Sequence, residues 1–90
     1  VNLNGQTQDG LIDLLFRSSP DAAWTIAEFK TDRLAENIDL KIYAQQKGYI
    51  RQVEAYQQAV WQQMGTSPEA LLIFLNVAQL VQVLSLPGCT

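Results

Sequence analysis

An α/β (α+β) fold, with one main helix packed on a mixed β-sheet in the order β-β-β-α-β-β, is predicted by three features of the sequence. Strand-like apolar runs stand at both ends, a helical periodicity lies between them, and a proline turn folds the first half into a hairpin. The opening "VNLNGQ" alternates Val1, Leu3 and Gly5 with polar residues, as an edge strand would. "GLIDLLFR" (10–17) is the next strand, Pro20-Asp21 within "SSPD" makes the turn, and "AAWTIAEFKT" (22–31) is the return strand. From Leu40 to Met64 the apolar residues Ile42, Tyr49, Ile50, Val53, Val60 and Met64 recur at helical steps, and Gly65 and Pro68 end the run. Gly48 costs that helix about 1 kcal/mol relative to alanine, so its first turns are expected to bend. "ALLIFLN" (70–76) and "QLVQVLS" (79–85) close the chain as two strands. Asn76, Gln79 and Gln82 interrupt this last apolar stretch, which therefore reads as core strands and not as a membrane span.

Composition narrows the function. At 90 residues the chain is expected to form a single domain, 1–90; 48% of it is apolar and 17% charged, a globular balance. A net charge of −3 is unlike a basic nucleic-acid clamp, so any phosphate chemistry needs a metal ion, local lysines or a partner surface. The single cysteine, Cys89, forms no internal disulfide, which suits the cytoplasm. With no histidine, Ser-His-Asp and Cys-His nucleophile systems and histidine-bearing zinc sites are excluded.

A turn centred on Pro20-Asp21 makes facing residue numbers add to 41. Asp13 then lies opposite Glu28, Leu15 opposite Ile26, Arg17 opposite Trp24 and Leu11 opposite Lys30. Alternation puts Asp13, Glu28 and Lys30 on one face and leaves Ile12, Leu14, Phe16, Ala23, Thr25, Ala27 and Phe29 as an expected continuous core on the other. Two carboxylates about 5 Å apart repel by roughly 3 kcal/mol at an effective dielectric near 20. A cation between them removes that cost; Lys30 supplies one charge, and a divalent metal with oxygen ligands supplies two. The plainer reading of "EFK" is a surface salt bridge.

"GLIDLLFR", a turn, "WTIAEFKTD" and a helix bearing "YIRQVEAYQQAV" together resemble the PD-(D/E)XK nucleases of the RecB type over about residues 5 to 85. The resemblance implies a restriction-endonuclease-like core. Asp13 matches the first metal-binding aspartate, Glu28 the second carboxylate and Lys30 the catalytic lysine, while the Phe29 carbonyl takes the position of a backbone metal ligand. Gln52 and Tyr56 match a Gln-x-x-x-Tyr motif that supports the active site or contacts DNA. One turn apart on a helix, these two share a face with Tyr49 and Ala59, although Tyr56 also fits as a core aromatic. Arg17, Trp24, Tyr43 and Trp61 read as packing or rim residues, and Lys47 and Arg51 as a solvated helix face, with contact to phosphate as the alternative.

The implied activity is Mg²⁺- or Mn²⁺-dependent hydrolysis of DNA phosphodiesters, exonuclease V-like, in DNA repair or recombination, with a helicase domain or subunit as partner. The family's N-terminal helix, with its further acidic residue and histidine, has no match in the chain, nor has an ATP-binding loop. The chain is accordingly expected to be a fragment of a helicase-nuclease, a short homologue, or a non-catalytic nuclease-fold module that binds a protein partner or DNA; as an isolated piece it is expected to be weakly active or inactive. A sheet without that helix exposes apolar surface and an edge, so a homo-oligomer is expected.

Overall fold

The computed structural model describes residues 6–7 and 10–88. It is an α+β fold with a four-stranded mixed sheet and two helices. The elements are β1 (Gln6–Thr7), β2 (Gly10–Leu11), β3 (Leu14–Phe16), β4 (Thr25–Lys30), α1 (Leu40–Gln46), α2 (Tyr49–Met64), β5 (Glu69–Val77) and β6 (Leu80–Leu86). The sheet order is β3-β4-β5-β6, with β4 and β5 parallel and the outer pairs antiparallel. Around the helices the sheet therefore runs β-β-α-β-β, which corrects the predicted β-β-β-α-β-β. The strand expected over Val1–Gln6 lies almost wholly outside the described residues, and Gln6–Thr7 pairs only with Gly10–Leu11, apart from the main sheet.

Two predicted elements are divided, each for a local reason. The strand expected over 10–17 bends at Ile12-Asp13, which turns Ile12 into the core and ends the β3–β4 ladder at Leu14. The single helix expected from Leu40 to Met64 is two helices, because Gly48 adopts φ 80°, a left-handed conformation that costs any L side chain strain. The Asp39 carboxylate caps α1 by accepting from the Ile42 N–H at 3.1 Å. Gly65, also left-handed at φ 79°, stops α2 as predicted, its N–H donating to the Trp61 carbonyl at 2.8 Å. Among the described residues no helix is long and apolar enough to cross a membrane.

The helices cover one face of the sheet. Ile26, Val53, Tyr56, Val60, Leu72 and Phe74 meet there, all almost completely buried. This is the face of β4 that also carries Glu28 and Lys30. The opposite face of the hairpin, predicted as continuous core, is open: Leu14, Phe16 and Phe29 are 40–46% exposed, and of that set only Ile12 and Ala27 are buried. Strands β4 and β5 carry apolar residues on both faces, so alternation separates the faces without saying which one the helices cover.

Candidate active site

The turn at Pro20-Asp21 closes with the Ala22 N–H donating to the Ser19 carbonyl at 3.1 Å. Leu14 faces Ala27, Leu15 faces Ile26 and Phe16 faces Thr25, the register predicted from the turn. The Arg17 guanidinium lies 4.6 Å from the Trp24 ring and donates to the Pro20 carbonyl at 2.9 Å, so this pair packs the turn. Leu11 pairs with Gln6 rather than facing Lys30.

Past Leu14 the main-chain ladder stops and side chains take its place. The Asp13 N–H donates to Glu28 Oε1 at 3.0 Å, and the Phe29 N–H donates to Asp13 Oδ2 at 2.9 Å. Each carboxylate is thus anchored on the other strand's backbone, and the two sit side by side. Within a strand a residue's N–H and C=O point the same way, so the Phe29 carbonyl also turns towards the Asp13 side. Glu28 is only 3% exposed. Burial pushes its carboxyl up to about 7; the charge of Asp13 and a carboxyl–carboxyl hydrogen bond add to the rise, while the Asp13 N–H and, more weakly, Lys30 oppose it.

Two residues on, the Lys30 ammonium donates to Gln52 Oε1 at 3.0 Å and lies 4.1 Å from the centre of the Tyr49 ring. Gln52 therefore holds the lysine, not the carboxylates. The Tyr49 ring is itself fixed: its hydroxyl donates to Asp32 Oδ2 at 2.8 Å, and the Tyr43 hydroxyl donates to the same oxygen. The hydrogen bond from Tyr43, joined by that from Tyr49, holds the Asp32 carboxyl below the usual range against the effect of burial. Burial, with the Asp32 hydrogen bond and charge, pushes the Tyr49 hydroxyl up to about 12. Tyr43 and Tyr49 both rest against Phe74, with ring centres 6.3 and 6.4 Å away, which ties the lysine's seat to the core.

Asp32 lies outside the residues that the motifs mark, and Tyr43 fits packing or rim from sequence alone. A signal was present: Asp32 follows Lys30 by the same two-residue step that separates Lys30 from Glu28, and Tyr49 stands one helical turn before Gln52. Tyr56 lies one turn beyond Gln52 but is 1% exposed, inside the core. Lys47 and Arg51 are exposed on the helix surface.

Two carboxylates and a main-chain carbonyl make an all-oxygen, hard donor set, suited to Mg²⁺ or Mn²⁺ with water or substrate oxygens as the remaining ligands. Among the described residues no group of three acidic, cysteine or histidine side chains gathers into a fuller cage. Compared with known proteins, the chain matches no family model, no curated protein and no solved structure.

Proposed function

We propose that this chain is the core of a magnesium- or manganese-dependent deoxyribonuclease of the PD-(D/E)XK type, RecB-like, hydrolysing DNA phosphodiester bonds. The observation that carries the reading is the reciprocal lock between Asp13 and Glu28 at the end of the β3–β4 ladder, with the Lys30 ammonium held two residues away. A structural ion pair gains nothing from placing two carboxylates side by side and seating the nearby lysine on an amide and an aromatic ring.

Asp13, Glu28 and the Phe29 carbonyl would hold the metal, which when bound supplies a water of lowered pKa and neutralises charge developing on the phosphate. The chain's own groups prepare the rest. The Asp13 N–H fixes the rotation of Glu28, and the Phe29 N–H fixes that of Asp13. Gln52 and Tyr49 hold the Lys30 charge where it meets a phosphate oxygen or orients a water. With a net charge of −3, most of the affinity for DNA comes from a partner, such as a helicase domain or subunit.

A second reading, a non-catalytic module of the same fold that binds a protein partner or DNA, is favoured by the open apolar face of the sheet. Metal-dependent cleavage of linear DNA by wild type, Glu28→Gln and Lys30→Ala, with denaturant melts of each, separates the two. The nuclease reading expects cleavage to fall by about 100-fold or more in both variants, because the groups act as a unit, with little change in the melts. Unaltered cleavage with lost stability returns "EFK" to an ordinary ion pair, and a wild type that cleaves neither alone nor together with a helicase domain or subunit favours the binding module.

A further inference from the structure

We propose that β6 is a docking strand for a second copy of this chain: two β6 strands pair antiparallel about Val83, and Leu80 of each copy enters a cavity beside Leu86 of the other. The inference is independent of the chemistry proposed at Asp13 and Glu28.

Three observations converge on it. β6 is the last strand of the sheet, so among the described residues its outer row of main-chain donors and acceptors has no strand neighbour. Its sequence, LVQVLSL, lacks the charges and prolines that usually protect an edge. The other edge strand, β3, has three residues and is flanked by Asp13 and Arg17.

β6 is also self-complementary. A two-fold axis at Val83 places Leu80 opposite Leu86, Val81 opposite Ser85 and Gln82 opposite Leu84, so all seven residues pair. Odd positions face odd positions, which keeps Val81 and Val83 of both copies on the open face and Leu80, Leu84 and Leu86 of both on the helix side. With no charge on β6, the overall negative charge of the chain does not oppose the contact at the strand itself.

The third observation is a cavity of about 640 Å³ between α2 and the end of β6, lined by Ile50, Glu54, Gln57, Trp61, Leu86 and Pro87 among others. Its floor is fixed, because Gln57 Nε2 donates to the carbonyls of Pro68, Leu86 and Pro87 at 2.9–3.3 Å. Trp61 on its wall is 47% exposed, and Leu80, at the far end of β6, is 63% exposed with its side chain on the helix side. Directly opposed residues of antiparallel strands stand about 5 Å apart. The Val83 register therefore brings Leu80 of the second copy to the mouth of this cavity, beside Trp61, Leu86 and Pro87, so the most exposed leucine among the described residues and the apolar side of the recess cover each other twice in one dimer.

Sedimentation velocity over a range of concentrations tests the proposal, on wild type and on Val83→Lys, Leu80→Ser and Leu75→Lys. Thermal melts establish that each variant is folded; an unfolded Val83→Lys is replaced by Val81→Lys, which lies on the same edge, and an unfolded Leu75→Lys by Leu75→Ser. The wild type is expected as a dimer. Val83→Lys, which sets two lysines against each other on the axis, is expected as a monomer, and Leu80→Ser is expected to weaken the dimer by about tenfold or more. Leu75→Lys, on the open face but on the inner strand β5, is expected to leave the dimer intact. A wild type monomeric at every soluble concentration overturns the proposal. So does a folded edge-lysine variant that dimerises like wild type, or dissociation by Leu75→Lys alone, which would assign the contact to the open face.

Discussion

The face of the sheet beneath the helices carries Glu28 and Lys30, whereas the face left open carries Leu14, Phe16, Phe29, Leu75 and Val83. A sheet arranged for stability alone would exchange them, since a buried carboxylate costs free energy and an exposed phenylalanine forgoes about 1.5–3 kcal/mol of burial. The contrast teaches that each face gives up stability for a different end. Beneath the helices, charge is held in a rigid frame, which the proposed nuclease chemistry would use; outside, apolar side chains are exposed.

The largest expected effect sets the two faces directly against each other. Phe74→Ala opens a cavity under the helices and should cost about 3–5 kcal/mol, whereas Phe29→Ala on the open face should cost under about 1 kcal/mol. Urea denaturation measures both, and equal losses would mean that the open face is covered in solution.

The next effect concerns pH in the metal-free protein. The Glu28 carboxyl is raised from 4.5 to about 7, so the folded state binds its proton more tightly than the unfolded chain does. That stabilisation is present in full below about pH 4.5 and is lost as pH rises through about 7, an effect of roughly 2 kcal/mol after solvent screening. Glu28→Gln should flatten this part of the pH profile and match or exceed the wild type in stability at pH 8. A profile unchanged by the substitution would deny that Glu28 titrates near neutrality.

The seat of Lys30 gives a smaller effect. Tyr49→Phe keeps the ring under the ammonium but removes a hydrogen bond to Asp32, so it should cost about 1 kcal/mol of stability while retaining cleavage. Tyr49→Leu removes the ring as well and should lower kcat with little change in KM; identical kinetics for the two variants would show that the ring does not position Lys30.

Smallest is the β5–β6 hairpin, whose two-residue turn places Ala78 and Gln79 at φ 51° and 70°. Replacing them with Asn-Gly, the pair such turns favour, should raise stability by about 0.5–1 kcal/mol without altering cleavage. Thermal melts and the cleavage assay check both halves of that expectation.

Much of this arrangement was legible in the sequence where local chemistry decides it. The register of β3 on β4 follows from Pro20-Asp21, and the end of α2 from Gly65, because a turn and a left-handed glycine act on their immediate neighbours. The approach of Asp13 to Glu28 followed from that register. The covered face was not legible, since Ile26 and Ala27 are equally apolar neighbours and only the placement of the helices distinguishes them. Nor was the break at Gly48: its cost as a helix residue was visible, but its left-handed conformation depends on how α1 and α2 pack on the sheet. The clamp of Tyr43 and Tyr49 on Asp32 joins three segments of the chain, and no single window of sequence contains it.

If Asp13 and Glu28 are paired to hold a divalent cation, as proposed, Mn²⁺ stabilises the folded protein, and a titration of thermal stability with Mn²⁺ measures the effect. Wild type should gain about 1.4 kcal/mol when the metal reaches tenfold above its Kd. At a fixed Mn²⁺ concentration the gain should be larger at pH 8 than at pH 6, because metal and proton compete for Glu28 and the Kd is higher at the lower pH. Asp13→Ala should give a flat titration at both values. Equal stabilisation of wild type and Asp13→Ala at pH 8 would mean that Asp13 and Glu28 hold no metal between them.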